Sequence, residues 1–168
     1  MDRAKLEDMD PADVPDASRE LVLQLYGIGA RRVWVSDREV PYPDGRLIVS
    51  TTDTAGIITH CNASFVEMSG YDRDTLVGSP HSILRHPDMP AAAFQQLWDE
   101  VSAGRIWHGY VKNLRRDGAF YWVYATVIPN VRDGAIKSYT SVRRKPSRRR
   151  VEEAETAYRQ ALAQEASA

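Results

Sequence analysis

At 168 residues the chain is long enough for one domain with a real core plus extensions, and short of two full domains. Its 43% hydrophobic and 27% charged residues are those of a soluble globular protein, and a net charge of -1 argues against a general nucleic-acid binder. No apolar run reaches the length of a membrane span, MDRAKLEDMD is no secretory leader, and the single Cys61 rules out an internal disulfide framework, so a cytoplasmic protein is expected.

Residues 1–45 read as an acidic, flexible lead-in followed by a capping element. In SRELVLQLYGIGARRVW the apolar residues Leu21, Leu25 and Ile28 fit helical spacing, with Ser18 or Asp16 as N-cap, and a short amphipathic helix weakened by Gly27 and Gly29 is predicted. DREVPYPDG reads as a linker. Residues 46–145 form the main domain. RLIVSTTD and GIITHCN are two short strands around the turn DTAG. ASFVEMSG, DRDTLVG and HSILRHPDM are short helical pieces. PAAAFQQLWDEVSAG is the strongest helix, opened by Pro90 and stopped by Gly104. IWHGYVKNLRR, AFYWVYATVIPNV and AIKSYTSVRR then make a β-meander joined at Asp117-Gly118 and Asp133-Gly134. This order predicts an α+β fold, one sheet packed against a helical layer. Residues 146–168 carry a basic cluster and a helix with a thin seam of Val151, Ala154, Tyr158, Ala161 and Leu162, suited to a partner helix or a dimer.

RHPDMP, Arg85 to Pro90, places a guanidinium, an imidazole and a carboxylate between structure-breaking prolines. No metal-ligand spacing surrounds His81 and His86, and neither Cys61 nor any serine sits in a nucleophile motif. No phosphate-cradling glycine loop is present, and no enzymatic activity is expected. Alternation on the first meander strand puts Trp107, Gly109, Val111 and Asn113 on one face. A flat aromatic, a gap and an amide there could hold a planar heterocycle, or be plain core with a strand-end polar group.

The pieces STTD, ITHCNASFVEMSGY, LVGSPHSILRHPDMP, AAFQQLW, WHGYVKNLRRDG, YWVYATVIPNVRDG and YTSVR, from about Ser50 to Arg143, resemble a PAS domain. More closely, they resemble the flavin-binding PAS domains of the bacterial aerotaxis-receptor type. The resemblance implies a five-stranded antiparallel sheet with short helices enclosing a cofactor pocket, here with N- and C-terminal helices added. It implies noncovalent FAD whose redox state is the signal. Carried over by position, the cofactor-binding candidates are Asn62, Arg85, His86, Asp88, Trp107, Asn113 and Tyr121, with Arg143 as a candidate for coupling the cofactor to the tail. Light-sensing relatives of this fold carry a reactive cysteine where this chain has SILRHPDM, so no cysteinyl adduct is expected. They grip the ring with two asparagines; Asn113 matches the first, and Val123 replaces the second.

The expected role is a sensory signal-transduction protein that reports redox, oxygen or energy state. Its expected partners are a second copy of itself and a downstream signalling protein, without nucleic acid or a membrane span. A stand-alone protein is favoured over a fragment. Two rival readings are a cofactor-free PAS dimerisation module and a haem-binding gas sensor using His86 or His108.

Overall fold

The computed structural model describes residues 5–167. Its centre is a five-stranded antiparallel sheet built from β3 (Ile48–Thr52), β4 (Ile58–Cys61), β5 (Trp107–Leu114), β6 (Phe120–Arg132) and β7 (Ala135–Arg144), in the order β4-β3-β7-β6-β5. Between β4 and β5 the chain forms α1 (Ala63–Ser69), α2 (Arg73–Leu76), a 3₁₀ turn at His81–Leu84 and α3 (Ala91–Ser102). Their apolar sides close over one face of the sheet. Phe65, Leu76, Ile83, Leu84 and Val101 pack there against Ile48, Ile58, Trp107, Tyr121 and Val123. The sequence dictates the breaks between these pieces. Gly70 ends α1 at φ 76, a left-handed cap that a Cβ would disfavour, and Pro90 opens α3 where its missing N–H costs nothing. The β6–β7 hairpin turns on Asp133 and Gly134, both at positive φ, as a two-residue loop requires.

The N-terminal segment departs from the expectation. In place of a helix, β1 (Ser18–Leu25) and β2 (Gly29–Ser36) form an antiparallel hairpin separate from the main sheet. Leu21 and Leu25 satisfy helical spacing, but Leu21, Leu23 and Leu25 also satisfy strand alternation, continued by Arg31, Val33 and Val35 across the turn. Gly27 and Gly29 take φ of 73 and 109, so they end the first strand instead of weakening a helix. Period 2 won because it buries both strands on one side, in a small core of Met9, Val33, Val35 and Leu114. The lead-in is not loose where it is described. Met9 donates its N–H to Arg32 O at 3.0 Å, and Asp10 caps the 3₁₀ turn Pro11–Asp13.

The tail helix α4 (Arg148–Ala166), capped by the Ser147 hydroxyl, folds back on the outer face of the same chain's sheet. Val151 is fully buried, and burial of a valine contributes about 1.5–3 kcal/mol. Tyr158 donates its hydroxyl to Tyr110 O at 2.6 Å and stacks on Trp122, while Arg148 grips Glu39 with both carboxylate oxygens. Its seam therefore meets strands β5 and β6, where a partner helix was expected.

Candidate ligand chamber

The pairing register lays Gly109, Ala125, Arg143 and Ile48 in one row across the sheet, on the face toward the helices. A glycine and an alanine beside an arginine leave room for a long side chain to lie in the interior. Arg143 is 2% exposed. Its Nη2 donates to Ser50 Oγ at 2.9 Å and meets His81 Nε2 at 2.7 Å, and its guanidinium carbon sits 5.1 Å from the Phe65 ring centre. Among the described residues no carboxylate pairs with it. Burial pulls its pKa down to about 10, so it remains a cation at neutral pH with Nη1 unpartnered. A buried cation held by neutral acceptors alone is expensive unless something else meets it.

Nearby donors repeat the pattern. Asn113 and Tyr121 are directly paired across β5 and β6, and the Asn113 Nδ2 and the Tyr121 hydroxyl are both buried with no well-formed hydrogen bond beyond their contact with each other. Burial raises the Tyr121 hydroxyl to about 12, so it stays protonated. Ser82 Oγ and Arg85 Nε are orphaned as well. Trp107 lies in the same layer, and its indole occupies the gap above Gly109: a Cβ there would overlap Trp107 Cη2 and Cζ2. Gly109→Ala is therefore expected to expel the indole and cost about 1–3 kcal/mol, read as a red-shifted tryptophan emission and a lower denaturation midpoint.

His81 was passed over in the sequence because no metal or nucleophile motif includes it. Its role rests on position 143, in a strand 62 residues away. It accepts from Arg143 and must stay neutral to do so; burial and then the Arg143 charge hold its pKa down at about 3. A folded-state value below the unfolded 6.5 means the unfolded chain binds the extra proton below pH 6.5, and stability falls as the pH drops from there toward 3. At pH 5 the loss from this group is about 2 kcal/mol. His81→Gln keeps an acceptor and should remove that share of the acid sensitivity in denaturant melts at pH 7 and pH 5.

The structure sorts the other candidates. RHPDMP does not aim as a unit: Arg85 bridges to Asn113 on edge strand β5, and the chain then turns, with Met89 N donating to His86 O at 3.1 Å. Arg85 turns toward α3, its guanidinium 4.2 Å above the Phe94 ring and donating to Met89 O at 3.2 Å. His86 goes to the other side, edge-on to Phe120, where burial lowers its pKa and Asp88 N donates to its Nδ1. Asp88 is exposed and paired with Lys112 Nζ at 2.8 Å, on the surface that α4 covers. Asn62 uses its whole amide on backbone: Oδ1 accepts from Val49 N and Phe65 N, and Nδ2 donates to Leu47 O. It therefore fixes where α1 leaves the sheet. Among the named candidates, Trp107, Asn113, Tyr121 and Arg143 gather in the interior, with Arg85 at its α3 edge. Among the described residues no set of metal-binding side chains converges, and no helix is long and apolar enough to cross a membrane.

With that geometry in place, the comparisons fall on one family. The model of the PAS fold matches residues 58–143, and the aerotaxis receptor of Escherichia coli (strain K12) is 41% identical over 126 residues, 75% of this chain and 25% of the receptor. The chain belongs to the PAS family. The biofilm dispersion protein BdlA of Pseudomonas aeruginosa is 34% identical over 83 residues, 49% of this chain and 20% of that protein. The light-state LOV domain of the blue-light photoreceptor Aureochrome1 superimposes with a TM-score of 0.58 at 23% identity, over 63% of this chain and 89% of that one, which shows the fold. This PAS chain spans a quarter or less of those two curated relatives. The chain is thus a PAS domain related in sequence to an aerotaxis receptor and a biofilm dispersion protein, and in fold to a blue-light photoreceptor domain.

Proposed function

We propose that this PAS domain binds a flavin, FAD, noncovalently between the sheet and the helices, and that it reports the redox state of that flavin. The observation that carries the reading is Arg143, a buried cation with an unpartnered Nη1 and, among the described residues, no carboxylate, flanked on the same face by the buried polar groups of Asn113 and Tyr121. The donor set fits the group: an isoalloxazine ring is planar and rich in acceptors, and Arg143 Nη1 offers an unused donor beside Asn113 and Tyr121, whose buried polar groups meet only each other. Flavin would supply reversible electron uptake, which adds negative charge to the ring. Arg143 would hold the acceptor edge, Asn113 and Tyr121 would fix the ring's orientation, and Trp107 would leave the Gly109 gap to pack against it. Arg85 would meet the cofactor at the α3 edge. The 41% identity to the aerotaxis receptor supports this reading. Association with a second copy and with a downstream signalling protein belongs to the same proposal.

The test is the visible spectrum of protein purified without added cofactor, followed by denaturation and identification of what is released. A structured flavin band that bleaches with dithionite and releases FAD is expected. A Soret band would sink the reading in favour of haem, although His108 stacks on Tyr124 at the outer face and His86 packs on Phe120, both away from the chamber. A colourless protein that refuses added FAD would leave an assembly module with Trp107 as filler.

A further inference from the structure

Helix α3 begins without a cap of its own. Pro90 stands at its N-cap position, contributes no side-chain hydrogen bond, and leaves the first amides of the helix without an intrahelical partner. Those amides are nevertheless met, from far away in the chain. Glu165, on the last turn of α4, accepts from Ala91 N at 3.2 Å through one carboxylate oxygen and from Ala92 N at 3.0 Å through the other. A carboxylate across the free N–H groups of a helix is favoured by both hydrogen bonding and the helix dipole. The tail is thus pinned at three levels: Val151 and Arg148 at its start, Tyr158 in the middle, and Glu165 at its end.

The end anchor differs from the other two in what it touches. Arg148 and Tyr158 hold the loop before β3 and strand β5, whereas Glu165 holds the helix against which Arg85 packs. Arg85 meets that helix through its flat face on Phe94, and the Glu165 carboxylate on α4 partly opposes the lowering of its pKa by burial. Its Nε, meanwhile, is buried and unpartnered. One residue therefore sits beside Asn113 of the inner sheet face and packs on the first turn of α3, whose opening amides Glu165 meets.

We propose that Glu165 is a releasable latch that closes the tail helix onto the bare N-terminus of α3, and that Arg85 sets whether the latch holds. Displacing Arg85 or the first turn of α3 removes the two amides from the carboxylate. The last turns of α4 then separate first, while Val151 and Arg148 keep its start in place, and the strip over Trp122 and Lys112 is uncovered. Arg85's place at the chamber edge rests on the ligand reading above, whereas the latch itself can be tested without any cofactor.

The latch is weak enough to be switched. A surface carboxylate at a helix N-terminus shifts an equilibrium by roughly two- to fivefold. The experiment is amide hydrogen exchange, resolved by residue, on the 168-residue chain without added flavin. Glu165→Ala should speed exchange across residues 159–166 roughly two- to fivefold and remove protection at Ala91 and Ala92. Glu153→Ala, on the same helix but paired only with Arg149 and Arg150, should leave both regions unchanged. Arg85→Gln should loosen residues 159–166 in the same direction although it makes no hydrogen bond to them. If Arg85→Gln also disturbs the β5–β7 core, Phe94→Leu, which removes only the ring beneath the guanidinium, takes its place. Unchanged exchange in Glu165→Ala, or a loosened tail in Glu165→Ala with no response to Arg85→Gln or Phe94→Leu, would overturn the proposal. A colourless protein in which both arms respond would keep the latch and remove flavin as its trigger.

Discussion

Replacing Arg143 by methionine is expected to make the ligand-free protein more stable and a poorer flavin binder at the same time. Burial has moved the guanidinium pKa from 12.5 to about 10. That difference means the charge costs the fold roughly 3 kcal/mol at neutral pH relative to an arginine in water. Ser50, His81 and the Phe65 face offset part of the desolvation, but none of them is an anion. Methionine has a similar length and no charge, so the apo protein should gain about 1–3 kcal/mol, as buried ion sites often do when filled with apolar groups. In the ligand-bound protein the same change removes at least one charge-assisted hydrogen bond, about 1.5–3 kcal/mol, and affinity should fall at least tenfold. Denaturant melts of apo protein and a flavin titration measure the two sides. A destabilised variant that keeps its full cofactor content would make Arg143 a structural residue and leave the chamber without its main argument. Since Arg143 also depresses the His81 pKa, the acid sensitivity of the variant should shrink with the charge.

The central fold was legible because its signals are local. Asp133-Gly134, Pro90 and Gly70 each impose a backbone conformation that only a turn, a helix start or a helix end accepts, and alternating apolar residues do the rest. The N-terminal hairpin was not legible by the same means. Leu21 and Leu25 satisfy both periods, and the preference was settled by Leu114 and Met9, which lie outside the segment. The site divides in the same way. Trp107 and Asn113 share a face by strand parity alone, and the structure places them so. His81 and Ser50 become partners of Arg143 only through the β3–β7 pairing and the path of the 3₁₀ turn, which no spacing reveals. His86 and Asp88 were named with Arg85 through the family resemblance, whereas the turn at His86–Met89 sends their side chains elsewhere than that of Arg85. The tail's seam was visible, but its occupant, the chain's own Trp122 and Tyr110, was not.

The second large effect is expected at Arg31, a residue that carries no motif. It is 2% exposed and makes three hydrogen bonds, to Glu7 O at 2.9 Å, Ile83 O at 2.8 Å and Tyr71 Oη at 3.1 Å. Unlike Arg143, it presents no orphaned nitrogen: each of Nε, Nη1 and Nη2 donates to a neutral acceptor. It therefore acts as a staple, tying the lead-in and β2 to the helical layer. Arg31→Ala would leave a cavity and three acceptors without their donor, for a loss of about 2–5 kcal/mol. Arg31→Lys keeps the charge but has one ammonium for acceptors that a planar fork reaches together, and should lie between. Because Ile83 belongs to the turn that also carries His81 and leads into Arg85, the damage should spread. Amide exchange should rise in residues 81–85 as well as in the hairpin, and bound flavin should dissociate faster. A variant that melts within 0.5 kcal/mol of the parent would show that the hairpin is only an appendage. A melt lowered by several kcal/mol, with faster exchange confined to the hairpin, would separate its stability role from the chamber. Loss at both places would make the N-terminal segment a wall of the sensor, held by one arginine.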